Sequence, residues 1–101
     1  MPTTKLKLVT IISETILEDR IIRELKQLGV RGYTVSGEVR GEGTRGLPTV
    51  DFGGQNIRIE TLVNPELATQ IMAYIAEHYF ADYAVIVYTL DAEVIRSEKY
   101  L

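Results

Sequence analysis

Gly41-Glu42-Gly43-Thr44-Arg45 is where this sequence gathers the parts needed to hold an anion. Glycines let successive backbone N–H groups turn toward one point, threonine adds a hydroxyl donor, and arginine presents a planar fork of N–H groups suited to phosphate. The spacing is neither that of a Walker A loop, which requires GK[ST], nor the G-x-G-x-x-G of a dinucleotide fold. A flexible hairpin loop with incidental charges has the same composition, and spacing alone leaves both readings open. The element lies within residues 37–54, GEVRGEGTRGLPTVDFGG, which hold six of the eight glycines and therefore have an unusually permissive backbone. They show neither helical nor strand periodicity. A connection of that length in a small domain is uncommon unless it is functional or disordered.

Catalytic patterns are thin. There is no cysteine and one histidine, His78, which leaves no thiolate nucleophile or disulfide and argues against a zinc site. His78 falls on or beside the apolar stripe of a helical segment, where packing against the sheet or against a neighbouring subunit is its expected role. Carboxylates occur as Glu18/Asp19, Glu42/Asp51 and Asp91/Glu93. Capping and surface solvation explain them, and nothing sets two across a cleft as acid and base. Ser13, Ser36 and Ser97 lack a G-x-S-x-G setting. The residues therefore point to binding, with no catalytic residue and no metal.

Positioning such a loop requires a scaffold. The 101 residues are 46% apolar and 25% charged, ordinary values for one globular domain spanning 1–101. A net charge of -3 and a pI near 5.1 argue against a nucleic-acid partner. No apolar run reaches the length of a membrane span, so direct membrane insertion is not expected, and the expected location is cytoplasmic.

Residues 5–12, KLKLVTII, alternate at first and then become apolar on both faces, the pattern of a strand buried on two sides for part of its length. A helix follows, with Thr15 and Glu18 spaced as a capping box and Leu17, Ile21, Leu25 and Leu28 at helical spacing. Arg20, Glu24 and Lys26 are expected to point away, and Gly29 is placed to end the helix. Residues 30–36 read as a second strand and 56–63, NIRIETLV, as a third. Asn64-Pro65-Glu66 opens a second helix, whose inner side is expected to carry Leu67, Ile71, Tyr74, Ile75 and His78. Residues 83–90, YAVIVYTL, are apolar on both faces and read as a central strand, with 92–96 as a short edge strand.

This order, βαββαβ, predicts an α+β, ferredoxin-like antiparallel sheet with two helices on one face. Val9, Ile11 and one face of residues 83–90 are expected on the opposite, uncovered face. Apolar surface there marks an interface, so a homo-oligomer is predicted.

The chain resembles the P-II signalling superfamily, most closely its SbtB-like branch of regulators associated with bicarbonate uptake. The resemblance is carried by KLVTII from Lys7, RGYTV from Arg31, GEGTRG from Gly41, NIRIETLV from Asn56 and YFADYAVIVYTLDAEVIR from Tyr79, in that order and spacing. It implies a homotrimer with adenine nucleotides (AMP, cyclic AMP, ADP or ATP) between subunits. It also implies a T-loop, residues 37–54, that docks on a membrane transporter, a bicarbonate permease in the SbtB-like branch.

Carried over by position, Gly32, Tyr33 and Thr34 lie at the base of the loop near the nucleotide. Gly41, Gly43, Thr44 and Arg45 match the phosphate-contacting element, with Arg40 as a second cation. Ala84, Val85 and Ile86 border the purine through backbone groups, and Arg96 reaches the neighbouring subunit's site. Pro48 stands where relatives commonly carry another phosphate-binding arginine. That departure favours an alternative, a carboxysome-type or scaffold interaction protein that binds bicarbonate or a partner with little nucleotide dependence. A slow nucleotide hydrolase would rest only on Glu42 and Asp51. The loop's single aromatic is Phe52, so the tyrosine modified in nitrogen-sensing P-II proteins has no counterpart.

Overall fold

The computed structural model describes residues 2–40 and 56–95. Its elements are β1 (Thr4–Glu14), α1 (Glu18–Leu28), β2 (Thr34–Val39), β3 (Asn56–Val63), α2 (Pro65–Tyr79) and β4 (Ile86–Val94). The four strands form one antiparallel sheet in the order β2-β3-β1-β4. Both helices pack on the same face, which gives the α+β, ferredoxin-like architecture expected from the element order.

Periodicity explains which face is covered. Val9 and Ile11 of β1 and Ile57, Ile59 and Val63 of β3 alternate inward, where they meet Leu17, Ile21 and Leu25 before and along α1 and Ala68, Ile71, Ile75 and Tyr79 of α2. The expectation that Val9 and Ile11 face away from the helices is thus reversed. Their even-numbered neighbours Leu8 and Ile12 occupy the uncovered face, opposite Leu90 and Ile86 of β4. Because the side-chain period of a strand is two, a doubly apolar strand does not itself say which set the helices take.

Local chemistry sets most of the boundaries. The Asn64 side chain accepts from the Leu67 N–H at 2.8 Å, and Pro65 follows at the first helical position, where its missing donor costs nothing. Gly29 closes α1 at φ 115°, a conformation in which a Cβ would be strained. At the other end of α1, a 3-10 turn (Thr15–Leu17) leads into the helix, and neither Glu14 nor Leu17 supplies a side-chain cap bond.

Three strand expectations change. β2 begins at Thr34 and continues through Gly37 to Val39, with a register irregularity between Ser36 and Val39, so the connection to β3 starts later than Gly37. β4 is a single strand through Val94 with no separate strand from Ala92, and it lies at the sheet edge instead of the centre. Its outer side chains are accordingly open: Ile86, Tyr88 and Leu90 are 45%, 40% and 57% exposed. An edge strand that keeps three large apolar side chains uncovered has a surface suited to a partner, not to water.

Candidate functional site

Gly32, Tyr33 and Thr34 lie together in the extended segment that enters β2. With Leu8, Glu60, Thr61 and Leu62 they line an open depression of about 420 Å³. The Thr61 hydroxyl donates to the Gly32 carbonyl at 2.6 Å and fixes this segment against β3. Glu60 stands directly opposite Thr34 in the β2–β3 register. Sequence reasoning does not single out Glu60 or Thr61. The available signal is Thr61, the one hydroxyl on the inward face of an otherwise apolar strand.

Gly32, like Gly37, is not required by the protomer's own packing, and of the two only Gly32 lines the depression. Its φ lies outside the left-handed region, and a Cβ built there meets nothing within 4 Å. Space left open at that backbone is available to a molecule from outside the protomer.

The remaining expected site residues divide. Ala84, Val85 and Ile86 form the approach to β4, with Val85 buried in the core and Ala84 and Ile86 exposed. They sit on the edge opposite Thr34, three strand spacings or roughly 14 Å across the sheet. One protomer therefore does not bring the two groups into contact. Arg40 is exposed just beyond β2, six residues or roughly 20 Å along the strand from Thr34. Gly41, Gly43, Thr44, Arg45 and Arg96 fall outside the described residues, as do Glu42, Pro48, Asp51 and Phe52.

The corner that leads into Ala84 is tied to α1. Tyr79, the last residue of α2, is fully buried, and its carbonyl accepts from the N–H groups of Asp82 at 3.2 Å and Tyr83 at 2.9 Å. Its hydroxyl donates to the Glu24 carboxylate. The Arg20 guanidinium lies 4.7 Å from the Tyr79 ring centre and 6.0 Å from that of Tyr83, and its Nε is 3.7 Å from Glu24. Arg20 and Glu24 thus face α2 and do not point away, as helical periodicity alone suggests. His78 is exposed on the outer side, its ring stacked on Tyr74 at 3.9 Å and its Nδ1 2.9 Å from the Tyr74 carbonyl. It does not pack against the sheet.

Two titrations in this cluster affect stability. Burial pushes the Glu24 carboxyl up, but hydrogen bonds from Tyr79 and Tyr74 and the charge of Arg20 outweigh it and hold the group below its ordinary value. Burial, and then the bond to Glu24, push the Tyr79 phenol far above its ordinary 10.0. A raised phenol pKa means that the folded state retains a proton the unfolded chain has released. Its contribution is complete below pH 10 and is lost as pH rises beyond that value. The Glu24 contribution is present above the ordinary carboxylate range and is lost on acidification through it. Urea midpoints measured from about pH 8 to 11 should fall more steeply for the wild type than for Tyr79→Phe; parallel curves would remove Tyr79 as the source.

Among the described residues, no group of three or more His, Cys, Asp or Glu is placed to hold a metal ion. None of the described helices is long and apolar enough to cross a membrane.

Comparison with known proteins agrees with this fold. A PII-like signaling protein from Thermus thermophilus is 46% identical, with both chains covered completely and a TM-score of 0.84. CPII from Thiomonas intermedia, bound to ADP, AMP and acetate, is 25% identical with a TM-score of 0.86, covering 99% of this chain and 98% of its own. The same protein bound to ADP and bicarbonate gives 25% identity and 0.85 over the same shares. The family model for nitrogen regulatory protein P-II matches residues 6–99, nearly the whole length, and this chain belongs to the P-II family.

Proposed function

We propose that this protein is a non-catalytic, P-II-like signalling protein that binds an adenine nucleotide (AMP, cyclic AMP, ADP or ATP) between subunits of a homotrimer. The observation that carries the reading is Gly32: a glycine the protomer does not need opens onto a depression at one sheet edge. The other residues expected to border the purine, Ala84, Val85 and Ile86, lie at the opposite edge. Two edges of one sheet meet at a single ligand only when a second copy supplies one of them. The CPII structures with ADP and AMP add support from a relative of the same fold. Phosphate falls to Arg45, Thr44 and the N–H groups of the loop, with Arg40 and Arg96 as further cations. The 37–54 T-loop then takes one conformation with ligand and another without, and so binds or releases a membrane transporter for bicarbonate.

Isothermal titration with each of the four nucleotides tests the reading, and no heat from any of them at micromolar protein would end it. Gly32→Val should leave the thermal midpoint within about 2 °C, since its side chain enters open space, yet weaken nucleotide binding at least roughly tenfold by filling the cleft. A variant equally stable and equally tight would show that no ligand approaches Gly32.

A second reading has its own observation. CPII binds bicarbonate together with ADP, and Pro48 removes one expected phosphate contact. In that reading the protein is a scaffold or carboxysome-type partner that senses bicarbonate directly, with little nucleotide dependence. Pull-down of the partner with nucleotide and bicarbonate varied separately distinguishes the two.

A further inference from the structure

We infer that the Tyr79–Glu24–Arg20 cluster positions the Ala84–Ile86 border of the nucleotide cleft, so that α1 helps set affinity without touching ligand. The inference rests on the proposed nucleotide site and adds to it residues on the helical side of the sheet.

The geometry runs in four steps. Tyr79 ends α2, and its carbonyl holds the N–H groups of both Asp82 and Tyr83, which turns the chain back toward the sheet. The Tyr83 ring lies 5.9 Å from that of Tyr79, inclined at 50°. Arg20 spans both rings, and Glu24 takes the Tyr79 hydroxyl. Ala84, Val85 and Ile86 follow directly, and Val85 is anchored in the core.

A turn of a few residues could be held by backbone bonds alone, as the Gly29 corner is. Here a fully buried tyrosine, a carboxylate with only 15% of its side chain exposed and a guanidinium converge on it. Polar groups removed from water in this way are costly unless fully partnered, and when partnered they define one arrangement strongly. The fixed element is therefore the corner, and what it aims is the backbone of residues 84–86. Adenine recognition by backbone groups depends on their placement to within a fraction of an ångström, because hydrogen bonds weaken quickly with misalignment.

The test compares ADP affinity, thermal midpoint and amide hydrogen exchange in the full chain. Tyr79→Phe keeps the ring and removes the hydroxyl. It should weaken ADP roughly five- to tenfold and speed exchange selectively at residues 82–87. Glu24→Gln keeps one acceptor oxygen for the Tyr79 hydroxyl but loses the charge that faces Arg20, and should weaken ADP less than Tyr79→Phe does. Asn64→Ala, which removes the cap at the far end of α2, serves as the stability control and should lower the thermal midpoint without changing ADP affinity. Should Tyr79→Phe not fold, Arg20→Met reports the same effect from a more exposed position.

A Tyr79→Phe affinity equal to wild type, an equal loss in Asn64→Ala, or exchange that rises uniformly would overturn the inference while leaving the proposed function standing. A wild type that binds no nucleotide refutes the proposed function and this inference with it.

Discussion

A Leu90→Glu variant is expected to sediment as a folded monomer of 11.4 kDa and to bind no nucleotide, whereas the wild type is expected to sediment as the proposed trimer and to bind. Within the protomer the change is mild. Leu90 is 57% exposed on an edge strand, opposite the half-buried Leu8, and a charged side chain is the usual protection of such an edge. Between subunits it is severe. A carboxylate drawn into a dry apolar contact without a partner costs several kcal/mol, and a threefold assembly repeats that cost at every interface. Loss of nucleotide follows from the sheet order. The Gly32–Thr34 depression and the Ala84–Ile86 corner lie at opposite edges, so with the proposed site a monomer would have only half of the cleft at each. Sedimentation velocity, circular dichroism and ADP titration on one preparation check all three parts. A trimeric Leu90→Glu would mean that the open sheet face is not the interface. A monomer that still binds ADP would place the whole site within one chain.

The same feature explains how far the fold can be read in the sequence. α1 and α2 are legible because their buried positions recur at helical spacing and their ends carry Gly29 or Asn64-Pro65, whose chemistry is local. β1 and β3 are legible from alternation. The location of β4 is not. Ile86, Tyr88 and Leu90 alternate with Val87, which packs on the core, and a strand apolar on both faces reads the same whether its second face is covered by its own chain or by another copy. The assignment of Val9 and Ile11 to the uncovered face fails for the related reason that Leu8 and Ile12 are equally apolar.

The site divides along similar lines. Gly32, Tyr33 and Thr34, consecutive in the chain, come from the resemblance, and the structure places them along one depression with Leu8, Glu60, Thr61 and Leu62. Thr61, which fixes Gly32, is visible in the sequence only as a hydroxyl out of place. Arg20 and Glu24 cannot be read from periodicity, because a polar residue on the flank of a helix is indistinguishable from one facing water until the second helix and Tyr79 are set beside it. Tertiary pairing of that kind has no period in the sequence.

Arg45→Ala should separate the phosphate from the rest of the ligand. Removal of a charge-assisted contact costs about 1.5–3 kcal/mol, or roughly ten- to a hundredfold in affinity for AMP or ADP. Adenosine, which has no phosphate, should change by less than about twofold. Pro48 strengthens the expectation: with no arginine at that position, less of the phosphate charge is met elsewhere, and the loss should fall toward the upper end. Pro48→Arg should accordingly tighten ATP more than AMP, because the longer phosphate chain has more charge left to satisfy. Equal losses for adenosine and ADP in Arg45→Ala would show that the arginine supports the loop and does not contact phosphate. The measurement also bears on signalling. A ligand shifts a conformational equilibrium only by its differential affinity for the two states. If the phosphate–Arg45 contact forms in one loop conformation alone, adenosine should occupy the cleft without recruiting the partner, ADP should change partner binding, and Arg45→Ala should abolish that change even at saturating ADP. A partner response to adenosine as large as that to ADP would place the switch outside the phosphate-binding element.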